Sequence, residues 1–155
     1  MMDDVRQKLA SRAPYVIEDL TVGMTAAYFH TLTDADIHLF ADLTGDHNPL
    51  HLDEAFAKQT RFKGRIAHGM LSASFLSTVI AMLPGPGTIY VTQNLSFRAP
   101  VRIGDTIEAH VTVLEIDLAT KRVRLKTQCR VGETVVIDGE AEVIVPSRGA
   151  APKSA

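Results

Sequence analysis

The stretch Gly69-Met-Leu-Ser-Ala-Ser-Phe-Leu-Ser-Thr-Val-Ile-Ala-Met-Leu83 decides the architecture of this chain, because it is apolar almost all round and then stops at Pro84-Gly85-Pro86-Gly87. Its length favours a helix over a strand, and its lack of a polar face predicts burial on every side. The Pro-Gly run is a firm breaker. A helix of about 14 residues would be roughly 21 Å long at 1.5 Å per residue. Its small residues, Ser72, Ala73, Ser74 and Ser77, let strands approach closely.

Downstream of the breaker the period changes to two. Ile89, Val91, Leu95 and Phe97 share one face of a strand, while Tyr90, Thr92, Asn94, Ser96 and Arg98 share the other. Ile107, Ala109, Val111 and Val113 alternate next. Val123, Leu125, Thr127, Cys129 and Val131 then oppose Arg122, Arg124, Lys126, Gln128 and Arg130. In the last segment Val135, Ile137, Ala141, Val143 and Val145 share a face, with Gly139 in register as an expected bulge or bend. Gly132-Glu133 and Ala119-Thr120 fit tight turns. Alternation with one polar face predicts an antiparallel sheet whose apolar side must be covered, and the helix from Gly69 is the segment able to cover it. The reading is an α+β fold, a curved antiparallel sheet wrapped around a long central helix. Open edge strands in such a half-barrel predict pairing into a homodimer.

Upstream, residues 24–32 read as a first strand and Asp34–Leu43 as a helix capped by Thr33 or Asp34 and ended by Gly45. Asp53 is the expected cap of a short helix through Phe56 and Ala57. Residues 1–15 read as a flexible arm, 16–146 as a single domain and 147–155 as a disordered tail.

The bulk properties narrow the function. With 155 residues the chain is one domain by length, 46% hydrophobic and 22% charged, and its formal net charge is −2. That balance gives no electrostatic case for nucleic acid or an anionic membrane as partner. One cysteine, Cys129, excludes an intrachain disulfide framework and a cysteine zinc cluster. No stretch reads as a signal peptide or membrane span, so a cytoplasmic protein is expected.

Between the two helices lies Asp46-His47-Asn48-Pro49-Leu50-His51, a carboxylate, a carboxamide and two imidazoles around a proline. Asn-Pro is a turn signal, so the segment reads as a rigid bend rather than a helix. An Asp and a His sharing one water are what general acid–base chemistry needs. A zinc site built on Asp46, His47 and His51 is the competing reading. Nothing reinforces it, since Pro49 interrupts the helix that their spacing would suit.

Gly45-Asp-His-Asn-Pro-Leu-His51, followed by Phe62-Lys-Gly-Arg-Ile-Ala-His-Gly-Met-Leu71, resembles the MaoC-type hotdog enzymes, in particular (R)-specific enoyl-CoA hydratases. Leu20–Met24, Ser96–Pro100 and Val101–Asp105 agree, and the resemblance spans roughly residues 16–146. Arg65 stands where many relatives carry proline. The resemblance implies reversible hydration of trans-2-enoyl-CoA to (R)-3-hydroxyacyl-CoA, with an acyl-CoA substrate and no cofactor or metal. It implies Asp46 and His51 as the acid–base pair, Asn48 as helper and the Gly69 N–H as oxyanion donor. His68, Met70 and Ser77 are placed beside the substrate, with a cap or loop-fixing role weighed for His68 and a packing role for Ser77. Dehydration of 3-hydroxyacyl groups on acyl carrier protein, thioester hydrolysis, and non-catalytic acyl-CoA binding are the alternatives. The basic stripe Arg122, Arg124, Lys126 and Arg130 reads first as a solvated face and second as a partner for coenzyme A phosphates.

Overall fold

Five strands and four helices follow one another in a computed structural model that describes residues 15–149. A one-turn 3-10 helix, Ile17–Asp19, precedes strand β1, Thr25–Thr31, and helix α1, Asp34–Thr44. Short helices α2, Pro49–Leu52, and α3, Glu54–Lys58, lead to the long helix α4, Gly69–Met82. Strands β2, Ile89–Phe97, β3, Thr106–Asp117, β4, Arg122–Val131, and β5, Thr134–Ile144, complete the chain. All pairings are antiparallel, in the order β1-β3-β4-β5-β2. Residues 1–14 of the expected arm and 150–155 of the expected tail lie outside the described residues. The start of that tail is held, with the Arg148 N–H donating to Glu18 Oε2 at 3.0 Å and its guanidinium paired with Asp19.

The core is the apolar face of the central strands closed by α4. Ile107, Ala109, Val111 and Val113 of β3 and Val123, Leu125, Thr127 and Cys129 of β4 are all 0% exposed. Leu71, Leu76, Val79 and Ile80 of α4 pack into the same cluster. Thr127, the polar member of this set, is satisfied across β5 by Gln93 Nε2 of β2 at 2.9 Å, as a buried hydroxyl requires. Outward-facing β4 charges are spent in pairs: Arg122 with Glu142, Arg124 with Glu115 and Glu140, and Lys126 with Asp138. Arg130 donates to Gln128 Oε1 at 3.0 Å, so the basic stripe is a solvated face whose charges at Arg122, Arg124 and Lys126 are neutralised by its own chain.

Three local expectations are corrected. Pro49 does not end helical structure; it starts α2 from the N1 position, with Asn48 as N-cap. Proline suits N1 because the missing N–H would have no helical partner there and its φ is already helical. Second, the bulge in β5 is at Val136, where Cys129 opposes Ile137 but Arg130 opposes Val135. Gly139 instead stays in register, and is glycine because a Cβ there would lie 2.0 Å from the Asn94 carbonyl oxygen. Third, α4 is not covered on every side. Met70, Ser74 and Ser77, spaced to share one helix face, are exposed, as are Ile89, Tyr90, Val91 and Phe97 along edge strand β2.

Candidate active site

The site is assembled where α1 ends and α4 begins. Thr33 opens α1 with a capping box, accepting from Asp36 N–H while the Asp36 carboxylate accepts from Thr33 N–H at 2.8 Å. Gly45 closes it in the left-handed region at φ 80°, its N–H donating to Ala41 O. From there Asp46 Oδ1 accepts from Asn48 N–H at 3.2 Å, and Asn48 Oδ1 accepts from Leu50 N–H at 3.0 Å. Two side-chain turns thus fold the loop tightly enough to set α2, which turns His51 inward to 8% exposure. Asn48 acts on the loop itself: its carboxamide oxygen caps α2 and its main chain holds the Asp46 carboxylate.

His51 donates its Nδ1–H to the Ile66 carbonyl at 2.8 Å. A carbonyl can only accept, so in neutral His51 the lone pair is on Nε2. Burial is the largest influence on this imidazole and depresses its pKa from 6.5; the Ile66 bond opposes that, and His68 adds to it. His51 therefore rests as a neutral base.

His68, 2% exposed, is the N-cap residue of α4. Its Nε2–H donates to the Asp46 carbonyl at 2.9 Å, and its ring lies against His51 with centroids 3.9 Å apart and against Phe40 at 5.0 Å. It thus pins the two halves of the site together. One ligating atom each of Asp46, His51 and His68 lie within 4.8 Å of one another, a span that one water can bridge with two bonds of about 2.8 Å. Asp46 is half exposed, its Oδ2 lying 4.0 Å from His68 Nε2. His47 is exposed and paired with Asp42 at 3.2 Å, so it does not join this cluster.

Beside the cluster opens a cavity of about 370 Å³ lined by His51, Gly69, Met70, Ser72 and apolar walls including Ile66, Val101 and Ile137. Gly69 is the first residue of α4, where main-chain N–H groups have no helical acceptor and favour negative charge. A Cβ on Gly69 would lie 2.7 Å from Phe97 Cδ1 and Cε1, so only glycine leaves both the ring and the N–H in place. Ser72, read from sequence only as a small packing residue, lines the cavity with a buried hydroxyl that has no protein partner. Arg61 brings a positive charge to the lining, its guanidinium over the Phe62 ring at 4.7 Å. Ser77 is exposed on α4 and is not among the lining residues of this single chain.

A curved antiparallel sheet around a central helix, with His51 and the N-terminus of α4 lining one largely apolar cavity, defines a hotdog-fold protein. The chain belongs to the MaoC like domain family, whose match spans residues 21–137. It is 52% identical over 136 residues to an (R)-specific enoyl-CoA hydratase of Rhodospirillum rubrum, covering 87% of this chain and 94% of that one. To a 3-hydroxybutyryl-CoA dehydratase of Methylorubrum extorquens it is 49% identical over 132 residues, 84% of either chain. Among solved structures, an unliganded R-hydratase of Pseudomonas aeruginosa matches with a TM-score of 0.81 at 41% identity, covering 92% of this chain and 96% of that one. The (R)-hydratase of Aeromonas caviae involved in PHA biosynthesis matches at 0.80 and 40% identity, covering 83% and 99%.

Proposed function

We propose that the protein adds water reversibly to trans-2-enoyl-CoA to give (R)-3-hydroxyacyl-CoA. The observation that carries this is that His51, its Nε2 lone pair left free by the Nδ1–H bond to Ile66, lines one cavity with Gly69, while ligating atoms of Asp46, His51 and His68 lie within 4.8 Å of one another. Asp46 and His51 orient one water and take its proton as oxygen attacks C3. Charge then moves through C2 to the thioester oxygen, where the Gly69 N–H and the α4 dipole stabilise it. The proton returns to C2, and the sum is water across one double bond. Each step is a proton transfer or a charge shift, so no redox cofactor or metal is called for. General acid–base assistance of this kind contributes about 10²–10⁴-fold.

The acyl-CoA reading rests on the relatives named for CoA substrates at 52% and 49% identity, against 37% for a mitochondrial 3-hydroxyacyl-[acyl-carrier-protein] dehydratase of Arabidopsis thaliana. The working unit is a homodimer, supported by the uncovered apolar edge of β2, where Ile89, Tyr90, Val91 and Phe97 are exposed. Such an edge is energetically unfavourable in water. Among the described residues no helix is long and apolar enough to cross a membrane, which fits a cytoplasmic enzyme. The test is incubation with crotonyl-CoA followed by chiral analysis: (R)-3-hydroxybutyryl-CoA is expected, whereas free thiol release identifies a thioesterase and binding without turnover a non-catalytic module.

A further inference from the structure

His51 belongs to a helix of four residues, Pro49–Leu52. A helix that short has no stability of its own, and its last carbonyls lack helical partners. The position of the His51 backbone must therefore be set from outside. Arg65 does this. Its Nε–H donates to the His51 carbonyl at 2.6 Å, and Nη2 donates to Asp34 Oδ1 at 2.6 Å in the first turn of α1. Its own main-chain N–H donates to Glu54 Oε2 at 3.0 Å at the start of α3. The Arg65 side chain is only 16% exposed, so its short, charge-assisted bond to the His51 carbonyl is partly shielded from water, while the Asp34 end of the fork is open to solvent at 57%. The next residue, Ile66, accepts from the His51 ring. Adjacent residues thus grip His51 twice, one by its main chain and one by its imidazole.

We propose that Arg65 is a positioning residue for His51: its planar fork ties the end of α2 to the start of α1 and so fixes the direction in which Nε2 points into the cavity. The kinetic half of this inference rests on the hydration reading; the structural half does not. A guanidinium reaches both acceptors in one plane, while a lysine ammonium has no such fork.

The test combines kinetics with imidazole ¹⁵N–¹H NMR of the unliganded full chain. In the wild type His51 gives the single Nδ1–H tautomer. In Arg65→Ala the tautomers mix, and kcat for crotonyl-CoA falls at least about tenfold with KM changed less than about twofold, since a displacement near 1 Å can cost about 10²-fold. Arg65→Lys falls between, and Asp34→Ala, which leaves Arg65 in place, moves both readouts the same way by less. Arg65→Ala with kcat within about twofold of wild type, or with kcat lost while the His51 tautomer is unchanged, overturns the proposal. If Arg65→Ala fails to fold, Asp34→Ala decides it: an unchanged tautomer and rate there overturn it equally. A wild type that leaves enoyl-CoA untouched refutes the hydration reading instead, and the tautomer readout still judges the clamp.

Discussion

The His51 imidazole and the Ile66 carbonyl are joined by a 2.8 Å hydrogen bond that ties the acid–base loop to the segment entering α4. The two stand fifteen positions apart in the chain. Through this bond the protein chooses which ring nitrogen is left with a free lone pair, and burial disfavours protonation of that nitrogen.

The pH profile follows. With the His51 pKa depressed from 6.5 by burial, the acid limb of kcat/KM has its midpoint below about 6.5. Folding stability carries the same sign. Between the folded and unfolded pKa values the unfolded chain binds more protons, so this contribution is complete above the unfolded value and is lost as pH falls from there through the folded value. Initial rates and urea melts across the acid range check both; an acid limb above 6.5 contradicts the account.

Gly69→Ala should lower kcat by about 10²-fold, in the range seen for loss of one oxyanion donor. The new Cβ would meet Phe97 Cδ1 and Cε1 at 2.7 Å, so ring or helix start must shift. Adding Phe97→Ala should recover part of the rate. Steady-state kinetics of the single and double variants give the answer, and an unimpaired Gly69→Ala would show that a Cβ is accommodated there without moving the N–H, contradicting the need for glycine.

Asp46, His51 and His68 are close enough to hold a cation. With His51 Nδ1 and His68 Nε2 donating to carbonyls, the lone pairs lie on His51 Nε2 and His68 Nδ1. The proposed hydration uses that His51 Nε2 as a base and so leaves it unavailable to a metal. Exhaustive dialysis against a chelator should leave the hydration rate unchanged. A rate lost on chelation and restored by zinc would show a metal enzyme.

Ile137 is 2% exposed and walls the cavity. Ile137→Ala should raise kcat/KM for octenoyl-CoA relative to crotonyl-CoA by extending the acyl pocket, at a stability cost of about 2–5 kcal/mol. An unchanged ratio would place the acyl chain against another wall.

What could be read without coordinates was what is encoded locally. Strict alternation marked β3 and β4, the Thr33 cap and Gly45 bounded α1, and the breaker at Pro84 ended α4 because each signal acts within a few residues. Pro49 misled because the same residue that bends a loop also starts a helix. The open face of α4 misled because Ser74 and Ser77, small enough to read as packing residues, are equally at home in water. A motif resemblance singled out Asp46, His51 and Gly69; the structure groups Asp46 with His51 and lines the cavity with His51 and Gly69. Arg65 and the orphan hydroxyl of Ser72 were not legible, since their meaning lies in contacts at long range: Arg65 reaches Asp34 across 31 positions.

The most direct test of the central claim is the crotonyl-CoA hydration rate of His51→Ala, followed as loss of the enoyl absorbance, with circular dichroism confirming the fold. The account predicts a fall of about 10²–10⁴-fold, matched in direction by Asp46→Asn. A folded His51→Ala protein that hydrates crotonyl-CoA near the wild-type rate would contradict it.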